Sequence, residues 1–351
     1  MYYIKIDIIK AIPENRTAIM GIAMVSIMLF HQCFTSVIPF NAFHNFGYWG
    51  VDIFLFLSGM GLAHSLENNS VVIFYKRRFK RIIPSCIICG VVKYIAFLIL
   101  GTSIIMLKDS LHLGWWSMAS LDLWFIPAII ILYAISPILY NLFRKWPYAT
   151  ITTIIIIFFI NGFTLKPFIG YNWTSPQGVL SWTIERLPVF SFGMFLAINN
   201  KCIDNKITYS YIFLLIAVGI RILLKSSLSF HGGESFCIFA LALGIPSLIT
   251  ICIYILKILP SFLKHFIVFL GKNSLELYLV HEFIFWVLKI RLNQANPWLL
   301  LITGFFLSCI IAYLCKSVTN QLILHDKAPQ PKWPGPSKHP NRDDNSFFTD
   351  K

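Results

Sequence analysis

The segment GIAMVSIMLFHQCFTSVI, residues 21–38, decides the fold because it is apolar almost throughout and approaches the length of a membrane span. A hydrocarbon core of about 30 Å needs roughly 20 apolar residues in a helix. Similar runs recur along the chain, which is 57% hydrophobic and only 13% charged. Soluble domains are about one-quarter charged. The sequence therefore predicts an all-α fold, a polytopic membrane helix bundle.

The length and spacing of the apolar runs predict about ten transmembrane helices. The predicted spans are residues 17–37, 49–66, 82–106, 121–143, 147–165, 183–199, 207–228, 235–257, 266–289 and 298–320. From residue 325 the composition changes to the polar, proline-rich segment HDKAPQPKWPGPSKHPNRDDNSFFTDK. This change predicts a transmembrane domain over residues 1–324 and a flexible polar tail over residues 325–351.

Lys and Arg residues concentrate in the loops on one predicted side of the membrane. The N-terminal segment, the tail and the run KRRFKR at residues 76–81 fall on that side. Because cytoplasmic loops carry an excess of Lys and Arg, the N- and C-termini are both predicted to be cytoplasmic. The formal charge of +14 then reflects membrane orientation, so we expect the lipid bilayer as a partner and not nucleic acid.

Ionisable side chains inside the predicted spans are candidate functional residues, because charge is costly to bury in lipid. His31 lies roughly 21 Å from the inner end of the first span at 1.5 Å per residue. Asp52 opens the second helix near the same outer surface, and a histidine beside a carboxylate is the minimal general-base pair. A helix–helix hydrogen bond for His31 and helix capping for Asp52 are the structural alternatives.

Four residues in other spans are candidates for substrate binding. They are Trp124, Arg186, Glu276 and His281. Since helices of alternating direction bring Trp124 and Arg186 to the depth of His31, we expect these groups to converge. An interfacial aromatic belt is the alternative for Trp124, and snorkelling toward the lipid headgroups is the alternative for Arg186.

The run FYKRRFKRIIP, residues 74–84, places Lys76, Arg77, Arg78 and Arg81 at the inner end of the third predicted span. Guanidinium groups bind phosphate through two parallel hydrogen bonds, so this run is a candidate phosphate clamp. A positive-inside signal combined with anionic-lipid contact would produce the same run. The eight cysteines lie mostly inside apolar runs, and we predict no metal site.

Six segments of the chain resemble, in order, the integral-membrane acyltransferase family 3, whose members move acyl groups onto surface glycans and related acceptors. They are GIAMVSIMLFH, GVDIFLFLSG, FYKRRFKRIIP, LWFIPAIIILYAISPIL, ERLPVFSFGMFL and LGKNSLELYLVHEFIF. The resemblance implies a membrane O-acyltransferase with acetyl-CoA as the acyl donor and a glycan or lipid-linked sugar as the acceptor. It also implies a multi-pass protein of the cell membrane, meaning the cytoplasmic or inner membrane of a bacterium.

The resemblance implies roles for single positions. His31 matches the family's catalytic histidine and Asp52 matches its motif aspartate. Arg78 and Arg81 match the arginines thought to hold the phosphates of acyl-CoA. Three positions match motif residues whose role is less settled, namely Trp124, Arg186 and Glu276.

The chain departs from the family's first motif, which has an arginine eleven positions before the histidine. Met20 occupies that position in this sequence. Arg16 lies one helical turn earlier on nearly the same face, so we expect it to replace the missing arginine by reaching up from the inner interface.

These positions together predict a mechanism. The CoA nucleotide would bind near Arg78 and Arg81, and its pantetheine arm would reach toward His31. His31 would then act as general base on the acceptor hydroxyl or would carry the acyl group briefly. Asp52 would orient His31, and an oxyanion stabiliser would come from Arg16 or Arg186.

Three other functions fit parts of the pattern. A glycolipid or polysaccharide transporter, or a flippase, would line its path with charges but would also show repeats between its halves, and none is evident. An acyltransferase with another acyl group, such as succinyl, or with a lipid or small-molecule acceptor is the second alternative. A sensor or scaffold without activity is consistent with the substitution at Met20.

Overall fold

The chain folds as a bundle of α-helices in the computed structural model. The structure describes residues 8–32, 47–99, 124–165, 176–199, 207–225, 233–292 and 295–324, and these residues form no strand. The helices are α1 (Ile8–His31), α2 (Trp49–Asn68), α3 (Val71–Ile99), α4 (Phe125–Lys145), α5 (Pro147–Ile160), α6 (Pro176–Ile198), α7 (Ile207–Lys225), α8 (Gly233–Ile258), α9 (Ser261–Lys272), α10 (Ser274–Arg291) and α11 (Pro297–Leu324). A π-helical turn, Asn161–Leu165, follows α5.

Among the described residues, five helices are long and apolar enough to cross a membrane, namely α2, α4, α5 with its π-helical turn, α8 and α11. The outward side chains of the bundle are largely aliphatic, as Ile87, Val91 and Ile95 on α3 illustrate. An exposed surface of this kind is stable in lipid. The chain is therefore a helical membrane protein. The count of about ten spans and the cytoplasmic termini stay predictions, and the tail at residues 325–351 lies outside the described residues.

Several helix boundaries differ from the predicted spans, since α1 begins at Ile8 and α6 at Pro176, and two further differences have a clear physical cause. The helix predicted to begin at residue 82 begins at Val71, because buried Phe74 continues its inward-facing side through the basic run. The span predicted over residues 266–289 is two helices that meet at Asn273. The side-chain amide of Asn273 donates to the Phe269 carbonyl at 2.7 Å and closes α9. The backbone carbonyl of Asn273 accepts from the backbone N–H of Leu277 and starts α10.

The contact between α2 and α6 depends on two glycines. A Cβ on Gly59 would overlap the backbone of α6 at Phe190, and a Cβ on Gly193 would overlap the backbone of α2 at Phe56. Helix backbones approach this closely only where no side chain lies between them. The contact holds α2 firmly against α6, and the first turns of α2 contribute to the site described below.

Replacing Gly193 with alanine should destabilise the protein by about 1–3 kcal/mol, because the new methyl group meets rigid backbone and not a flexible side chain. Gly219→Ala on α7 is the matched control, since nothing lies within 4 Å of a Cβ there. Alanine is the better helix former, so this control should be neutral or slightly stabilising. Thermal unfolding of the detergent-solubilised proteins measures both, and an equal shift in Tm would contradict the close-packing argument.

Candidate active site

Two histidines from distant parts of the chain form the centre of the site. Nδ1 of His31 lies 2.9 Å from Nε2 of the fully buried His281 on α10. Nδ1 of His281 lies 2.9 Å from the Leu277 carbonyl and 3.0 Å from the Tyr278 carbonyl. Because a carbonyl only accepts, His281 donates from Nδ1, and its Nε2 accepts from His31. Nε2 of His31 then carries the lone pair that a general base needs.

The position of His31 follows from the buried face of α1. Met24, Ile27 and Met28 are almost completely buried and form an inward stripe at helical spacing. His31 is the next position of this stripe and also the last residue of the helix. Its ring is therefore aimed into the bundle, where α10 packs against α1.

Asp52 forms a buried ion pair with Arg186 of α6. Nη1 of Arg186 donates to both carboxylate oxygens of Asp52, at 2.9 and 3.1 Å. Asp52 is 0% exposed and Arg186 is 2% exposed, so each needs the other as a counter-charge. The expected pairing of Asp52 with His31 is thus replaced by two pairs, Asp52 with Arg186 and His31 with His281. The reason is geometric, since α6 reaches Asp52 on α2 through the close glycine contact.

Three aromatic rings surround the guanidinium of Arg186, and we call them the outer aromatic cluster. Its ring centroids lie 5.5 Å from the Arg186 Cζ for Tyr48, 5.9 Å for Trp124 and 5.8 Å for Trp182. The Trp124 and Trp182 rings are 5.4 Å apart. Trp124 and Arg186 were predicted from the sequence as site residues, whereas Tyr48 and Trp182 were not. The available signal was spacing, because Trp182 lies one helical turn before Arg186.

A cavity opens between α1, α2, α3, α4 and α10. Arg16, Arg78 and Arg81 line it, together with Ser274 at the start of α10. None of the described residues that line the cavity is acidic. The N-terminus of α10 adds partial positive charge, so this cavity favours a multiply charged anion.

The predicted phosphate clamp is divided by the structure. Arg78 and Arg81 line the cavity, whereas Lys76 and Arg77 do not. Lys76 is exposed, and the exposed Arg77 donates to the side-chain oxygen of Asn69 at 2.8 Å. Lys76 and Arg77 therefore face away from the predicted ligand.

Arg16 lies with the clamp and not with the histidines. Fifteen residues of helix separate it from His31, which corresponds to about 22 Å. Met20, the position of the family's missing arginine, lines the same cavity as Arg16. Arg16 is therefore displaced by one helical turn from the family's arginine position, but it still lines the same cavity.

Tyr278 links the cavity to the histidine pair. It lines the cavity, and its ring centroid lies 5.8 Å from that of His281. The Tyr278 ring also packs against Phe125, with the ring centroids 5.1 Å apart. The arginine-lined cavity therefore extends to within one aromatic ring of His281, the hydrogen-bond partner of the candidate base His31.

Glu276 is buried at the contact between α3 and α10. The Ser85 hydroxyl donates to its Oε1 at 2.7 Å. This bond joins the helix of the clamp to the helix of His281. The predicted role of Glu276 in substrate binding stays a prediction.

A family model described as an acyltransferase domain matches residues 18–316 of the chain. The matched range includes both histidines, the ion pair, the outer aromatic cluster and the run KRRFKR, and it begins two residues after Arg16. No curated protein and no solved structure matches the chain.

Proposed function

Because this chain belongs to the integral-membrane acyltransferase family 3, matched over residues 18–316, we propose that it moves an acetyl group from acetyl-CoA to a hydroxyl of a surface polysaccharide or lipid-linked glycan. Family membership makes the chain a membrane acyltransferase. The donor, the acceptor and the base belong to the proposal. One observation supports the donor site and its connection to the histidine pair: the cavity has arginines on its wall and also reaches Tyr278, which contacts His281.

The donor would bind through its phosphates. Acetyl-CoA carries a diphosphate and a ribose phosphate, and Arg16, Arg78, Arg81 and the N-terminus of α10 offer matching positive charge. Arg16 then has a role in donor binding and not in stabilising the oxyanion near His31. The pantetheine arm would run along α1 and bring the thioester to the histidine pair.

The chemistry would take place at Nε2 of His31. This nitrogen removes the proton of the acceptor hydroxyl while the hydroxyl oxygen attacks the thioester carbonyl. The tetrahedral intermediate collapses, the carbon–sulfur bond breaks, and the CoA thiolate takes the proton from His31. His281 holds His31 in the required tautomer throughout. A transient acyl group on His31 would use the same nitrogen and the same partner.

Each of Arg78→Ala, Arg81→Ala and Arg16→Ala should weaken acetyl-CoA binding by about 10- to 150-fold, the equivalent of one hydrogen bond to a charged group. Arg77→Ala is the matched control, because Arg77 belongs to the same basic run but bonds Asn69 outside the cavity. We expect its affinity to stay within about twofold of wild type. Titration of the purified proteins with radiolabelled acetyl-CoA measures all four.

An equal loss of affinity in Arg77→Ala would show a general charge effect and would remove the clamp. Unchanged affinity in Arg78→Ala and Arg81→Ala would leave the basic run as an orientation signal. The function itself is tested by supplying radiolabelled acetyl-CoA to membranes that contain the protein. Base-labile label should appear on the polysaccharide fraction. If the protein binds acetyl-CoA and no label appears on the polysaccharide, the proposed reaction is refuted.

A further inference from the structure

We propose that the outer aromatic cluster of Tyr48, Trp124 and Trp182 binds the acceptor, and that its ligand is an uncharged saccharide unit stacked on these rings. The inference rests on the proposed function, because it assigns the surface that would recognise the glycan. It adds Tyr48 and Trp182 to the site, and it fixes the charge of the ligand.

The cluster differs from an interfacial aromatic belt in where its rings point. Tyr48 directly precedes α2, Trp124 directly precedes α4, and Trp182 lies in the second turn of α6. All three are half-buried and converge on Arg186 inside the bundle. Trp298, at the start of α11, is 44% exposed and represents the belt. Rings held inward by a buried cation are arranged for a ligand and not for headgroups.

The ion pair behind the rings makes the cluster rigid. Arg186 is held by both oxygens of Asp52 and lies over all three rings within 6 Å, the range in which a cation is attracted to a ring. A rigid surface loses little conformational entropy when it binds a ligand. The polarised C–H groups on one side of a sugar ring pack well against the negative face of an aromatic ring.

The charges of the described residues around the cluster cancel. Arg221 lies 5.0 Å from the Tyr48 ring and is the second cation, beside Arg186. Asp52 and the buried Glu185, the residue before Arg186 on α6, are the two carboxyl groups that match them in number. A neutral site favours an uncharged saccharide over a phosphorylated or strongly acidic one.

Two chains of ring contacts connect the cluster to the histidine pair. On one side Tyr48 is 6.1 Å from Phe30, which is 4.9 Å from His31. On the other side Trp124 is 6.2 Å from Phe125, which packs against Tyr278 beside the other histidine. A saccharide on the cluster would offer its hydroxyl to His31 from the end of α1 opposite Arg16. The thioester would arrive from the arginine-lined cavity.

The test replaces Trp182 in the full-length protein and follows both substrates. Membranes receive radiolabelled acetyl-CoA and the polysaccharide fraction extracted from the expressing cells. Trp182→Leu should raise the apparent KM for polysaccharide at least tenfold and leave the KM for acetyl-CoA within about twofold. Trp182→Phe keeps a ring and should retain most of the wild-type affinity. Trp298→Leu, the control from the belt, should change neither constant.

An unchanged KM for polysaccharide in Trp182→Leu would overturn the inference. So would a parallel loss of acetyl-CoA affinity, because it would show that Trp182 only supports packing. A second acceptor, the phospholipid fraction of the same cells, separates this inference from the proposed function. Label in phospholipid and not in polysaccharide would refute the saccharide site while acyl transfer stands. Transfer to neither fraction would refute the function and this inference with it.

Discussion

Replacing His31 with alanine should lower the rate of acyl transfer by about 100- to 10,000-fold, the usual contribution of a general base. Nδ1 of His31 donates to His281, so the lone pair of the ring is on Nε2, which points away from His281. Binding of acetyl-CoA should survive, because Arg16 lies about 22 Å away along α1 and Arg78 and Arg81 line the same cavity as Arg16. The variant should therefore lose turnover and keep its donor affinity.

The measurement is the amount of base-labile acetyl ester on the polysaccharide fraction, together with the dissociation constant for acetyl-CoA. His64→Ala serves as the control, because His64 is a half-exposed residue of α2 that lies 3.8 Å from Glu67 of the same helix. His281→Ala should cause a smaller loss than His31→Ala, since it removes the group that orients the base and not the base itself. Equal acetylation by His31→Ala and wild type would reject the assignment of His31.

Arg186→Met should destabilise the protein by about 3–5 kcal/mol, the cost of breaking a buried ion pair by removing one partner. The substitution leaves the carboxylate of Asp52 at 0% exposure with no counter-charge from Arg186. Combining it with Asp52→Leu should restore most of the stability, because an apolar pair of similar volume replaces the charges. The same double variant should still lack activity if the rings around Arg186 bind the acceptor.

Thermal unfolding in detergent tests the ion pair. Arg144→Met is the control, because Arg144 is an exposed arginine at the end of α4 that also lies over an aromatic ring, Tyr140. Its effect should stay within about 0.5 kcal/mol. If the double variant were as unstable as Arg186→Met alone, an unpaired Asp52 would not be the cause of the loss.

Most of the helices could be predicted from the sequence. A run of apolar residues that crosses lipid has to satisfy its backbone hydrogen bonds internally, and an α-helix does so. The errors fell where that rule does not apply. The basic run was placed before its helix, yet α3 already includes it, since Lys and Arg are good helix formers outside the hydrocarbon. The break at Asn273 depends on one side-chain amide that closes α9, and hydropathy does not detect such a bond.

Candidate residues of the site were also recoverable, but their pairings were not. Counting residues gives the height of a side chain along the membrane normal, so His31, Asp52 and Arg186 were expected at a similar depth. Counting does not show which helices are neighbours. Asp52 meets Arg186 because α2 and α6 touch at Gly59 and Gly193, a contact that no single segment reveals.

Helix α1 is continuous from Ile8 to His31, so it fixes both the distance and the angle between Arg16 and His31. Inserting or deleting one residue between Arg16 and His31 would turn His31 by about 100° and break its bond to His281. Inserting seven residues would restore the direction of the ring but would shift it by about 10 Å relative to the arginines. No change of length preserves both angle and height. Arg16, one helical turn before Met20, keeps nearly the same face of α1 and lines the same cavity, which is compatible with this constraint.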